Sequence, residues 1–589
     1  MKNEISAFIK KYQHYLLPVF ILLLAYFACV AIGDEGDFND PWGLILWVIA
    51  IVLTLHILVN FANLKLTAFP WREAFIFLAL FLFAFVLRAF RVSDIPMLLN
   101  GDESGSALDA LNFLYGNRNN FLTTGWYSFP AMHPFIQSFF ISLFGRTPLG
   151  VRMSSVLIGS LTIPFTYLLV KRMFTEKVGL IAALLLSVLP LHNHMSRIGL
   201  NNIWDAFFFL LVLLFYWDGW KRQRPASYAA AGLALGFSQY FYATARTLIP
   251  ITLVLFAVFA LIDWAHTRTQ LRLIGLMFLL AVVVMSPLYY HYALNPNEFT
   301  APLNRVSALD PGWLANQKEL GRSMVGVFID QITTAIGGII TIPVKGYFEA
   351  GKPILSMPSA LFFVLGIAAL SISLIVKKFK EERFYLFLFW IGSVLMSVFL
   401  SVDAPSAQRY VAALPAFAIL SAYGMVELVH LFDEKIQVWL SRILVVLVLV
   451  MVVQDGWFYL HTYPGRDGLG GKDTLLANDF ARYLNATPRP ARQVIFFGYP
   501  YFGYESIPSL PFLATEVESY VNINAPWKEA PLPPEDLNRH LTFFFLDIHT
   551  DDISDIQQDF PGGHLIERCF NGNPVWNGCY TIYEYTRQP

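Results

Sequence analysis

The sequence predicts a polytopic α-helical membrane protein of about thirteen transmembrane helices, with a small extracytoplasmic α/β domain at its C-terminal end. Three observations lead there. Apolar stretches approaching the roughly 20 residues that cross a hydrocarbon core recur along the chain. Only 14% of the 589 residues are charged, against about 25% in soluble domains, and the mean hydropathy is +0.53. Beyond residue 461 the pattern changes to short strand-like runs alternating with helical ones.

The apolar stretches fall near 15–33, 43–62, 73–90, 150–170, 178–195, 204–218, 227–245, 249–264, 273–292, 358–376, 384–402, 410–431 and 443–460; the 204–218 stretch is short for a span. The first follows Lys10 and Lys11 but has no small-residue cleavage site after it, so it reads as a span rather than a removed leader. Alternate short connections are basic, as in Lys171/Arg172/Lys177, Lys221/Arg222/Arg224 and Lys377/Lys378/Lys380/Arg383. The others hold few cations, and the first of them is acidic (Asp34, Glu35, Asp37, Asp40). Positive connections stay inside. The N-terminus is therefore expected in the cytoplasm, in a plasma or inner membrane, and the loops 91–147 and 294–357 and the tail from about 461 outside.

Loop 91–147 reads as two short helices lying at the interface. Ala107, Leu108, Leu111, Leu114 and Tyr115 recur with helical spacing and Gly116 stops them. Met132 to Phe144 carries Pro134 in its first turn and is too short to span. Loop 294–357, with Arg305, Arg322 and Lys345, is expected to lie over the outer mouth, since a structureless loop of that length is rarely idle. In the tail, 474–485 and Asp552 to Phe560 read as helices; Gln493 to Gly498, Leu541 to Ile548 and Tyr580 to Tyr585 read as strands.

The net charge of −1 argues against nucleic acid as a partner. Cys29 reads as a small apolar residue in a span; Cys569 and Cys579 share the outside tail, where a disulfide is compatible with an oxidising compartment. Asn485-Ala486-Thr487 is a glycosylation triplet of a kind common by chance.

Chemistry is expected where ionisable groups meet the outer membrane edge, because charge there is costly without a use. Asp102 and Glu103 open the first interfacial helix. Such residues also cap helices, but a carboxylate there is placed to take a proton from a hydroxyl beside a lipid headgroup. His133 is a candidate phosphate or metal contact. Arg197, Asn201, Asn202 and Asp205 cluster on a short outside turn, with an ion pair between Arg197 and Asp205 as the alternative to substrate binding. Tyr242, Arg246 and Arg409 lie at other outer edges, where arginines either snorkel or clamp a phosphate.

Taken in order, these pieces resemble the GT-C membrane glycosyltransferases, in particular the protein O-mannosyltransferases and the aminoarabinose transferases that modify lipid A. The resemblance runs from about Phe75 to Trp220. Arg88 to Glu103 resembles the family's span end, proline and Asp-Glu pair. Met132-His133-Pro134-Phe135, Leu143-Phe144-Gly145 and Val151-Arg152-Met153 resemble its His-Pro-Pro, glycine and Leu-Arg stretch, and Pro190 through Ser196-Arg197 its Pro and Ser-Arg. Phe135 replaces the second proline, and Asn202 stands where many relatives carry an acid, with Asp205 a turn later.

The resemblance implies transfer, with inversion, of one sugar from a polyprenyl-phosphate donor to a hydroxyl of a lipid, protein or polysaccharide. Asp102 would be the base and Glu103 would sit beside it. A monophosphate leaving group makes a metal less necessary than a pyrophosphate would, and a divalent metal is compatible with the chemistry. The resemblance makes 1–70 two additional N-terminal helices, 71–460 the catalytic bundle and 461–589 the outside domain. The competing readings are a transporter or flippase of lipid-linked sugars and a non-catalytic subunit of envelope-glycan assembly. The scarcity of mid-span charge disfavours transport.

Overall fold

Each predicted span falls largely on helix in the computed structural model, which describes residues 2–59, 70–466, 470–499, 501, 503–529, 539–571, 573 and 576–586. Lys65, a cation of the connection after the second predicted span, lies outside them. Among the described residues nine helices are long and apolar enough to cross a membrane. The other four predicted spans are helical but shorter or more charged. The described apolar part of the first is Leu16–Ile32, Trp71–Ala89 holds Arg72, Glu73 and Arg88, and Glu176–Val188 and Pro225–Ser238 have 13 and 14 residues.

Small residues let the bundle close. A Cβ at Gly366 would sit 2.1 Å from the Leu420 carbonyl oxygen, and one at Gly424 would sit 2.1 Å from that of Phe362. The Met357–Val376 and Leu414–His430 helices therefore touch through backbone, as membrane helices do where side chains are absent. Helix Trp42–Val59 packs on Leu271–Leu294, with the Trp47 indole donating to the Val283 carbonyl at 2.9 Å.

Loop 91–147 forms two helices, Gly101–Leu114 and Met132–Phe144. The second exposes Phe135, Phe139, Leu143 and Phe144, an outward apolar face. The first is covered instead. Ala107, Ala110 and Leu111 belong to one apolar cluster with Leu476, Phe480 and Leu510 of the C-terminal domain. Loop 294–357 is more helical than its composition suggests: Pro311–Glu319 and Met324–Ile340 meet at a bend of 107°.

The C-terminal domain is a five-stranded sheet of β1 (Arg492–Phe497), β2 (Ser519–Asn522), β3 (His540–Leu546), β4 (His564–Cys569) and β5 (Cys579–Tyr585), in the order β2-β1-β3-β5-β4. The first three strands are parallel and β5 and β4 join antiparallel. Cys569 and Cys579 form a disulfide between the edge strand and its neighbour. Helix Gly471–Ala486 fastens the domain to the bundle. The Asn478 amide brackets the Leu99 backbone, accepting from its N–H at 3.0 Å and donating to its carbonyl at 2.9 Å. The domain thus sits directly on the segment that leads into Asp102.

Candidate active site

Asn100-Gly101-Asp102-Glu103 is a capping box, and the box separates the two carboxylates. The Asn100 side chain accepts from the backbone N–H groups of Asp102 (2.9 Å) and Glu103 (3.0 Å), and Glu103 folds back to accept from the Asn100 backbone. Glu103 is fully buried against Arg152, whose Nε donates to Oε1 at 2.9 Å and Nη2 to Oε2 at 3.2 Å. The Gly199 N–H donates to the same carboxylate at 2.7 Å. The remaining Arg152 protons go to the carbonyls of Val92, Pro96 and Leu98. This knot ties the 92–103 segment, the Pro148–Met173 helix and the 197–202 turn together, and it leaves Asp102 half-buried, lining a cavity.

That cavity has a volume of about 220 Å³, and Asp102, Asn202, Tyr242 and Arg409, all singled out in the sequence, line it. Arg409 donates to the Tyr242 hydroxyl at 2.8 Å, and its buried Nε has no partner among the described residues. No local pattern in the sequence points to Trp126, Tyr127, Tyr347, Asp403 and Gln408, which also line it, as does Arg305. The Tyr347 hydroxyl donates to Asp102 Oδ2, and Arg305 stacks over the Tyr127 ring at 4.5 Å. Arg305 and Tyr347 bring loop 294–357 to the mouth of the cavity. Burial, and then the charge of Glu103, push the Asp102 carboxyl above its usual pKa. The helix N-terminus alone would act in the opposite sense.

Besides Glu103, four of the residues singled out in the sequence lie outside this lining. Arg197 is buried and donates to the carbonyls of Leu87, Arg88, Phe90, Arg91 and Ile95, capping the end of the Trp71–Ala89 helix rather than pairing with Asp205. Asp205 is buried, and its Oδ1 has no partner among the described residues. Arg246 bonds the Phe299 carbonyl and the Tyr292 hydroxyl. His133 lies behind Trp126 and Phe129 beside a void of about 20 Å³, with Nε2 3.2 Å from the Gly199 carbonyl. Burial lowers its pKa to about 4, so it is neutral at ordinary pH.

Gly105 is needed for the Trp126 wall, because a Cβ there would lie 2.5 Å from the indole Nε1. Gly105→Ala should push the indole out of place and cut turnover roughly 10-fold or more. The thermal midpoint should move only a few degrees, about what a 1–3 kcal/mol overpacking cost gives in a chain this large. Parallel turnover and melting measurements check both.

Residues 128–291 match the dolichyl-phosphate-mannose-protein mannosyltransferase family. No curated protein matches the chain in sequence. In fold it is similar to ArnT from Cupriavidus metallidurans in the apo state, at 15% identity and a TM-score of 0.50 over 87% of this chain and 98% of that one. It is also similar to the oligosaccharyltransferase of Archaeoglobus fulgidus in the apo form, at 12% identity and a TM-score of 0.48 over 88% and 75%.

Proposed function

We propose that this protein is an inverting glycosyltransferase that moves a single sugar from a polyprenyl-phosphate donor to an acceptor hydroxyl at the outer membrane face. The observation that carries the reading is the placement of Asp102 and Arg409 on one cavity of about 220 Å³, with Asn202, Tyr242 and Tyr347 between them. The family matched by residues 128–291 is described by a dolichyl-phosphate sugar donor, which supports a donor of this class.

In this reading Asp102 accepts the proton of the acceptor hydroxyl as its oxygen attacks the anomeric carbon. Arg409 and Arg305 face the departing phosphate, where negative charge builds in the transition state. Tyr347 holds Asp102 in one rotamer. Glu103 acts through position, by fixing Arg152 and the start of the helix. His133 and Asp205 support the cavity wall from behind, and Arg197 and Arg246 anchor the chain around it.

The test is a purified-protein assay with polyprenyl-phosphate sugars, scored by release of the free polyprenyl phosphate and by mass spectrometry of the cell envelope in a deletion strain. Loss of one glycan modification in that strain is the expected result. An unchanged envelope and no donor turnover would refute it. A pH profile adds a second reading. Asp102 must be ionised to act, and its pKa is raised, so activity should fall with acidification at a pH above the usual aspartate value of about 4. Replacing Asp102 should remove that limb.

A further inference from the structure

At the end of the bundle opposite Asp102, four helix ends enclose a second cavity, of about 330 Å³. Arg172 closes the Pro148–Met173 helix, and Lys221 and Arg222 close Ile203–Arg222. Lys377 follows Met357–Val376, and Arg383 opens Glu382–Phe399. All five cations line the cavity.

A basic residue at each helix end is ordinary, since cations suit C-termini and inward-facing connections. The arrangement here exceeds that. Among the described residues three carboxylates meet these cations: Asp218 with Arg222 at 3.2 Å, Glu382 with Lys221 at 2.6 Å, and Glu381 with Lys377 at 2.6 Å and Arg383 at 2.7 Å. Five positive charges against three negative ones leave an excess of two. Arg172 comes no nearer to a carboxylate than 4.0 Å, from Asp218, and its guanidinium makes no hydrogen bond among the described residues. Trp217, 4% exposed, lines the same cavity, and its indole N–H has no partner among the described residues. A concave site at membrane level with surplus positive charge, an uncommitted guanidinium and an unsatisfied buried N–H is suited to a ligand that brings several acceptor oxygens and negative charge.

We propose that this cavity binds the phosphate headgroup of an anionic membrane lipid. The phosphate oxygens meet Arg172, Lys377 and the Trp217 N–H, and the acyl chains run along the neighbouring helices. The bound lipid holds the Pro148–Met173 and Ile203–Arg222 helices together at the end far from the chemistry.

The experiment uses the full chain, delipidated in mild detergent and then supplied with cardiolipin, phosphatidylglycerol, phosphatidylcholine or inorganic phosphate. Bound lipid is read by native mass spectrometry and stability by thermal unfolding. The variant is Arg172→Gln with Lys377→Gln; it leaves Glu381 paired to Arg383 and Glu382 paired to Lys221. The wild type should retain the two anionic lipids and melt higher with them, and phosphatidylcholine should do neither. The double variant should hold the anionic lipids about tenfold less tightly, with its lipid-free melting and sugar transfer unchanged. Arg172→Lys should restore part of the binding. Equal retention of anionic lipid by the double variant, or equal retention of phosphatidylcholine by the wild type, overturns the proposal. Stabilisation by millimolar inorganic phosphate as large as that by cardiolipin overturns the lipid assignment in favour of a soluble anion. Because binding and melting need no sugar donor, the result is independent of the glycosyltransferase reading.

Discussion

Asp102→Asn should lower sugar transfer by about 10²–10⁴-fold, the contribution typical of a general base, while leaving the fold intact. The amide is nearly isosteric, and the side chain it replaces is half-buried and accepts from the Tyr347 hydroxyl. Asparagine still accepts that bond but cannot take a proton. Thermal unfolding within a few degrees of wild type, with turnover at background, is the expected pair of results. Turnover close to wild type would remove Asp102 as the base.

The second large effect concerns stability. Glu103→Leu leaves the Arg152 guanidinium, fully buried, without its counter-charge. Arg152→Leu strands Glu103 in the same way and also removes the donors to the Val92, Pro96 and Leu98 carbonyls. Breaking a buried pair from one side costs about 3–5 kcal/mol, so either variant should express poorly or melt far below wild type. The double leucine variant removes both charges and should be destabilised by less than the sum of the two single variants. Melting of all three in the same detergent measures the coupling. Strict additivity would mean that the pair contributes nothing beyond its separate packing.

The division of labour between Asp102 and Glu103 was only half legible in the sequence. Asn100 and Glu103 have capping-box spacing, a local signal. What sends Glu103 inward is Arg152, 49 residues later, and the Gly199 backbone, and no periodicity reports such a contact. The same limit explains Arg197. Its position at an outer turn suggested a phosphate or an ion pair, but the carbonyls that satisfy it belong to the end of a helix more than a hundred residues earlier. Helices were readable because apolar length is a local property. Their packing order was not, which is why Tyr347 went unnoticed although its loop was expected over the mouth.

In the C-terminal domain, β1, β3 and β5 announced themselves through buried apolar runs. β4 was missed because His564–Cys569 is an edge strand with charged, largely exposed residues, and β2 because it has four residues. Edge strands draw their order from pairing rather than from burial.

The central claim is that the polyprenyl phosphate seats its phosphate at Arg409 and presents its sugar to Asp102. A cryo-electron microscopy structure of the wild-type protein with a non-transferable polyprenyl-phosphonate sugar tests this most directly. The phosphonate is expected at Arg409 and Arg305, and the anomeric carbon facing Asp102 with room for a hydroxyl about 3 Å from the carboxylate. A phosphonate seated away from both arginines, or a sugar whose anomeric carbon is turned from Asp102, would contradict it.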